Sequence, residues 1–137
     1  MDDRRDLFIS FFWIATGGSI GALLRHGTNE LVISVFGEAW IYLSTSFENV
    51  FGSFLMGLIF TLLSKMTRKR EWLIHFLLVG IIGSYTTYSG FGTQSITLIQ
   101  ESAPLFMLYF FGQIFTGVIA VLAGIKIGKR IAPATGN

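Results

Sequence analysis

Four long apolar runs, interrupted by short polar or basic segments, organise the sequence. They cover about residues 7–25, 40–64, 72–100 and 103–127. A helix needs roughly 20 apolar residues to cross a hydrocarbon core of about 30 Å, so each run predicts one membrane span. The first stops at Arg25 and the second at Lys65. No small-residue cleavage site follows the first run, which reads as a retained helix and not a signal peptide. Between the first two runs, Thr28 to Phe36 carries Leu31, Val32, Val35 and Phe36 at helical spacing. That spacing predicts a short helix lying at the membrane interface.

The third run is longer than a membrane requires. From Trp72 to Gln100 a continuous helix would reach roughly 43 Å, well beyond the bilayer core. Its middle, Gly83-Ser84-Tyr85-Thr86-Thr87-Tyr88-Ser89-Gly90-Phe91-Gly92-Thr93, is also poor helix material. Glycine and β-branched threonine weaken a helix, and hydroxyls compete for its backbone hydrogen bonds. A break at membrane depth is tolerated only where protein or water satisfies the freed backbone. The pattern therefore predicts an all-α membrane protein of one four-helix unit, with its third helix broken mid-membrane and the chemistry at the break.

Composition agrees: the chain is 52% hydrophobic and 13% charged, too little charge to cover a soluble surface. Cysteine is absent, which excludes disulfides and thiolate metal sites. His26 and His75 are far apart and form no metal-ligand pattern. A net charge of +2 gives no footprint for nucleic acid. No nucleophile–base pair or phosphate loop supports an enzyme. Small residues recur at four-residue spacing in Gly17/Gly21, Ser53/Gly57, Gly112/Thr116 and Ala120/Gly124/Gly128, which predicts close helix contact. Four short helices enclose little by themselves, so an oligomer is expected.

Polar residues inside the spans carry the functional signal, because lipid makes them costly. Arg25, at the end of the first span, has snorkelling to the headgroups as its simplest reading. Thr45, Ser46 and Glu48 stand near the entrance of the second span, whereas Asn49 is deeper and offers an amide to the bundle interior. Tyr109, Gln113 and Thr116, spaced by four and three, put hydrogen-bonding groups on one face of the fourth helix. Tyr88 and Phe91 sit three apart beside the break. They are either ordinary packing or ring edges whose partial positive charge attracts an anion. Amide, hydroxyl and ring-edge donors can replace the water around a compact anion without a fixed cation to trap it.

These residues resemble the Fluc family of small dimeric fluoride channels, over essentially the whole chain. Gly17-Gly18-Ser19-Ile20-Gly21-Ala22-Leu23-Leu24-Arg25 is similar to the first-helix signature of that family. Asn49-Val50-Phe51-Gly52-Ser53-Phe54-Leu55-Met56-Gly57 is similar to its second-helix motif, and Gly83 to Phe91 to its third-helix break. The resemblance implies an antiparallel, inverted dimer with two pores, in the cell membrane, exporting toxic fluoride passively. It implies that Asn49 donates to fluoride and that Tyr88 and Phe91 are the aromatic pore positions. Ser89, Thr45, Tyr109, Gln113 and Thr116 join the pore lining, and Arg25 a vestibule. It also implies a structural sodium ion at the dimer interface, held by the backbone carbonyls of Gly83 and Thr86. An alternative is a small multidrug-resistance-type four-helix transporter, but that class needs an acid deep in the first helix, and this chain has none there.

The chain departs from the family pattern at Glu48, Tyr88, Gly90, Gly92 and Gln94. Its charge is also lopsided. Arg4, Arg5, Lys65, Arg68, Lys69, Arg70, Lys126, Lys129 and Arg130 fall on the side that holds both termini, against Arg25 on the other. Basic flanks favour the cytoplasm, which predicts cytoplasmic termini and one direction of insertion. A homodimer of inverted chains needs both directions, so a heterodimer with a related subunit of opposite bias is the preferred expectation.

Overall fold

The computed structural model describes residues 3–66 and 71–132, and within them the chain is built of helices. Helix α1 spans Asp3–Phe36, a 3-10 turn covers Glu38–Trp40, and α2 spans Ile41–Ser64. The third span comes in pieces: α3 (Glu71–Leu73), a π-helix (Ile74–Ile82), α4 (Gly83–Tyr85) and α5 (Tyr88–Glu101). Helix α6 (Ala103–Ile131) completes the chain. Among the described residues, four helical stretches are long and apolar enough to cross a membrane, and the protein is a multi-pass membrane protein. Of the basic residues behind the orientation argument, Arg68, Lys69 and Arg70 lie outside the described residues.

Two local expectations change. No separate interface helix follows Arg25; α1 continues through it to Phe36. Nothing in Arg25-His26-Gly27-Thr28 is strong enough to stop a helix already propagating, and Thr28 Oγ1 bonds back to the Leu24 carbonyl at 3.0 Å. The stop is Gly37, whose φ of 89° lies in the left-handed region and whose N–H reaches the Ile33 carbonyl at 2.8 Å. The break in the third span is also narrower than its composition predicts. Only Thr86 and Thr87 leave the helix, while Gly90 and Gly92 lie inside α5.

Packing is pairwise. α1 lies along the third span, where a Cβ at Gly17 would collide with the Phe76 carbonyl and one at Gly21 with the Ile81 carbonyl. Helix α2 lies along α6, where Gly57 faces the Val121 carbonyl and Gly124 the Phe54 carbonyl at similarly close range. Both pairs run parallel, as alternate spans of one chain must. A Cβ at Gly112, by contrast, would meet nothing within 4 Å, so Gly112 takes no part in a helix seam among the described residues.

Ser44, Thr45, Glu48, Thr61 and Ser95 are buried beside Leu78, Ile82, Tyr85 and Phe91, whereas rows of Phe, Leu and Ile face outward. Outward apolar rows are expected where lipid, not water, surrounds the fold.

Candidate functional site

The two residues that leave the helix are Thr86 and Thr87, both extended, with ψ of 153° and 119°. Their backbone groups find partners on α2. Thr87 N–H donates to Asn49 Oδ1 at 2.8 Å, and Asn49 Nδ2 donates to the Thr87 carbonyl at 3.1 Å. One amide side chain thus pairs with both polar groups of one residue, as a strand neighbour would. Thr87 also caps α5, its Oγ1 accepting from Gly90 N–H at 3.0 Å.

These bonds release two specific carbonyls. In a continuous helix the Thr87 N–H would bond the Gly83 carbonyl, and the Gly90 N–H the Thr86 carbonyl. Both donors are taken elsewhere, by Asn49 and by the Thr87 hydroxyl. Gly83 and Thr86 therefore present carbonyl oxygens without their helical donors. The break also sets the carbonyl end of α4 back to back with the amide end of α5, the arrangement that suits a cation on one side and an anion on the other.

Beside the break lies a cavity of about 580 Å³, whose polar lining includes Asn49, Thr86, Thr87, Tyr88 and Gln113. Ile82, Phe91, Phe110 and Val118 supply apolar wall. Gln113 of α6 accepts from Asn49 Nδ2 at 2.7 Å and donates through Nε2 to Ser46 Oγ at 3.1 Å. Phe91 is buried between Tyr109 and Phe110, with ring centroids at 5.6 and 5.1 Å. Tyr88, at the cavity edge, is 87% exposed.

Of the residues singled out in the sequence, Asn49, Tyr88, Phe91, Gln113 and Thr86 line this cavity together. Thr45 and Tyr109 stand one layer away and are joined through Gln94: Tyr109 O–H donates to Gln94 Oε1 at 2.6 Å, and Gln94 Nε2 donates to Thr45 Oγ1 at 2.8 Å. Ser89 is exposed beside the Thr87 hydroxyl, 3.2 Å away. Thr116 is exposed and bonds back to the Gly112 carbonyl at 2.7 Å, so the predicted stripe on α6 divides. Gly83 is exposed and Arg25 half-buried, and neither lines the cavity.

Two residues gain importance here. Gln94 and Ser46 link α2, α5 and α6, although the sequence marks them only as a departure and an entrance residue. Gln94 lies seven residues after Thr87 and three after Phe91, and that helical spacing was the available signal. Glu48, adjacent to Asn49, points elsewhere: it is fully enclosed, does not line the cavity, and neither carboxylate oxygen has a hydrogen-bond partner. Ser44, one turn before it, donates to Asn29 Oδ1 at 2.6 Å.

A family model described as "CrcB-like protein, Camphor Resistance (CrcB)" matches residues 12–125. The chain is 35% identical over 123 residues to a "Fluoride-specific ion channel FluC" of Flavobacterium psychrophilum, covering 89% of this chain and 98% of that one. It is 36% identical over 117 residues to a protein of the same name from Chloroflexus aurantiacus, covering 85% and 92%. It is also similar to "Fluoride-specific ion channel FluC 2" of Bacillus licheniformis, with 34% identity and 93% of each chain covered.

Proposed function

The chain belongs to the CrcB family, and from that premise we propose that it is a subunit of a fluoride-selective channel that lets cytoplasmic fluoride leave the cell passively. The observation that carries this reading is the cavity in which Gln113, Asn49 and the broken helix meet Tyr88 and Phe91. Fluoride is small and strongly hydrated, so a path across lipid must replace its water with donors at close range. Neutral amide donors, hydroxyls and aromatic edges do this without a fixed positive charge that would hold the ion. The multidrug-transporter alternative finds no support, because Glu48, the acid of the second span, is sealed away from the cavity.

The cavity is open, and exposed Tyr88, Ile114 and Val118 edge it. A second subunit covers it, related to the first by inversion, so that each pore has residues from both. The freed carbonyls of Gly83 and Thr86 fit a hard monovalent cation, which takes oxygen ligands without needing a carboxylate. In the dimer they hold a structural sodium ion, whose charge offsets the carbonyl dipoles of the two breaks. Substituting a much larger cation for sodium during purification lowers dimer stability; indifference to cation identity removes sodium from the reading.

The basic bias toward the termini supports cytoplasmic termini in the plasma membrane and pairing with a related subunit of opposite bias. Fluoride efflux from liposomes, with chloride as control, tests the channel. It is run on this chain alone and on this chain co-purified with an inverted relative, while both termini are tagged in cells. Fluoride-selective efflux is expected from the pair, with termini on one side. Robust flux from the chain alone with termini on both sides overturns the heterodimer, and absence of fluoride flux in every combination overturns the channel.

A further inference from the structure

On the side that holds the termini, the two helix pairs end differently. At the start of α1, Arg4 and Arg5 stand beside Asp3 and Asp6, and the third span starts on Glu71. The α2/α6 pair ends on Lys65, Lys126, Lys129 and Arg130, all exposed, and α6 contains no acidic residue. The ion pair among the described residues is His26 with Glu30, toward the opposite end of α1. Close packing gathers the four cations: Gly128 sits against Thr61, so the last turn of α6 lies beside Lys65, one turn beyond Thr61. A helix C-terminus is partly negative, and Lys129 and Arg130 in the last turn of α6 offset it. Lys126 precedes that turn, where the dipole has faded, and needs another reason.

The outer face of α6 supplies one. Leu108, Phe111, Phe115, Ile119 and Leu122 recur at steps of three and four, and each is more than half exposed. Two further steps along the same row reach Lys126 and Lys129. The row faces away from the rest of the fold: Gly124 and Gly128, on the other side of α6, meet α2, and Gln113 and Gly117 line the cavity. A subunit that covers the cavity therefore leaves this row in lipid. From Phe115 to Lys126 is roughly 16 Å along the axis, the depth of one leaflet. The geometry points to a binding surface for an anionic phospholipid at the ends of α2 and α6. An acyl chain lies along Phe115, Ile119 and Leu122, and the headgroup phosphate meets Lys126, Lys129 and Arg130, with Lys65 beside them. A zwitterionic headgroup brings its own cation and gains little from a basic patch without acids. An anionic one gains roughly five-fold in affinity from each Lys or Arg near it. The surface lies outside the cavity, so it stands apart from the channel reading.

The test is native mass spectrometry of the full purified chain in detergent, titrated with phosphatidylglycerol or with phosphatidylcholine of the same acyl chains. Saturable retention of phosphatidylglycerol is expected, roughly 10-fold tighter than that of phosphatidylcholine. Lys126→Gln with Lys129→Gln is expected to weaken phosphatidylglycerol by roughly 10- to 30-fold and to leave phosphatidylcholine unchanged. Lys126→Arg with Lys129→Arg, which keeps both charges, retains binding. Arg4→Gln with Arg5→Gln removes the same charge from the same side of the protein and is expected to change retention by less than about three-fold. Glycerol phosphate, a headgroup without chains, does not compete at equal concentration. Equal retention of the two lipids overturns the inference. Equal losses in the two glutamine double variants overturn it as well, because diffuse charge then explains the binding. Competition by glycerol phosphate replaces the lipid surface with a site for a free anion and overturns it too.

Discussion

Helices α2 and α6 meet twice, by opposite means. Toward their C-terminal ends the seam is dry and bare: Gly57 sits against the Val121 carbonyl, Gly124 against the Phe54 carbonyl, and Gly128 against Thr61. Toward their N-terminal ends the seam is wide enough for side chains, and Ser46, Asn49 and Gln113 bridge it with hydrogen bonds of 2.7 and 3.1 Å. Where two helices only need to be held, removing side chains lets the backbones approach and gains dispersion contact. Where an ion must lose its water, side-chain donors are needed, and they require room. The dry half holds the polar half in register.

The strongest way to break this comparison is to add volume to the dry half. Gly124→Leu forces α6 away from the Phe54 carbonyl and is expected to cost about 3 kcal/mol or more, or to prevent folding. Gly112→Ala on the same helix, with open space around it, should change stability by less than about 0.5 kcal/mol. Thermal unfolding in detergent compares the two, and equal effects would remove the distinction between the faces of α6.

In the polar half, Asn49→Asp keeps one oxygen to accept from Thr87 N–H but sets the other against the Thr87 carbonyl, and should cost about 1 to 3 kcal/mol without preventing folding. It should lower fluoride flux by about 100-fold, a loss of roughly 2.7 kcal/mol and so within the range for hydrogen bonds to charged groups. Liposome flux together with thermal unfolding checks both halves of that statement. Normal flux from a folded variant would place the pore elsewhere.

A smaller effect is expected at the cap. Thr87→Val keeps the β-branched shape that favours an extended backbone but loses the acceptor for Gly90 N–H, and should cost about 1 kcal/mol. Hydrogen exchange at the start of α5 should rise with it; unchanged protection at Gly90 would mean that the cap does not hold the break.

The smallest predicted change sharpens the comparison instead of breaking it. Glu48 lies in the polar half but has no hydrogen-bond partner at either oxygen. An amide is less costly to enclose than a carboxylate, so Glu48→Gln should stabilise the fold by about 0.5 to 1 kcal/mol. A loss of stability would show that the carboxylate has a charge partner in the assembled protein.

Much of the architecture was legible in the sequence because it follows from local quantities. Hydrophobic length specifies a span, and a Gly- and Thr-rich interval within one specifies a weak helix. The break and the residues of two helices that face it were found in this way. The segment after Arg25 departs from its sequence expectation because a polar residue ends an apolar run without ending a helix. The π-helix from Ile74 to Ile82 has no counterpart in the apolar pattern, since its sequence reads as any buried helix.

By itself the sequence determined that this chain crosses a membrane four times, that its third crossing cannot stay helical, and that Asn49, Tyr88, Phe91 and Gln113 are the residues to watch. Tertiary structure alone decided how they divide the work. Asn49 bonds a backbone 38 residues away and a side chain 64 residues away, and those two partnerships engage both of its donors. They take the Gly83 carbonyl's helical donor and join α2 to α6 through Gln113. A hydrogen bond has a direction and a fixed number of partners, and the occupants of those places are known only once distant segments have met.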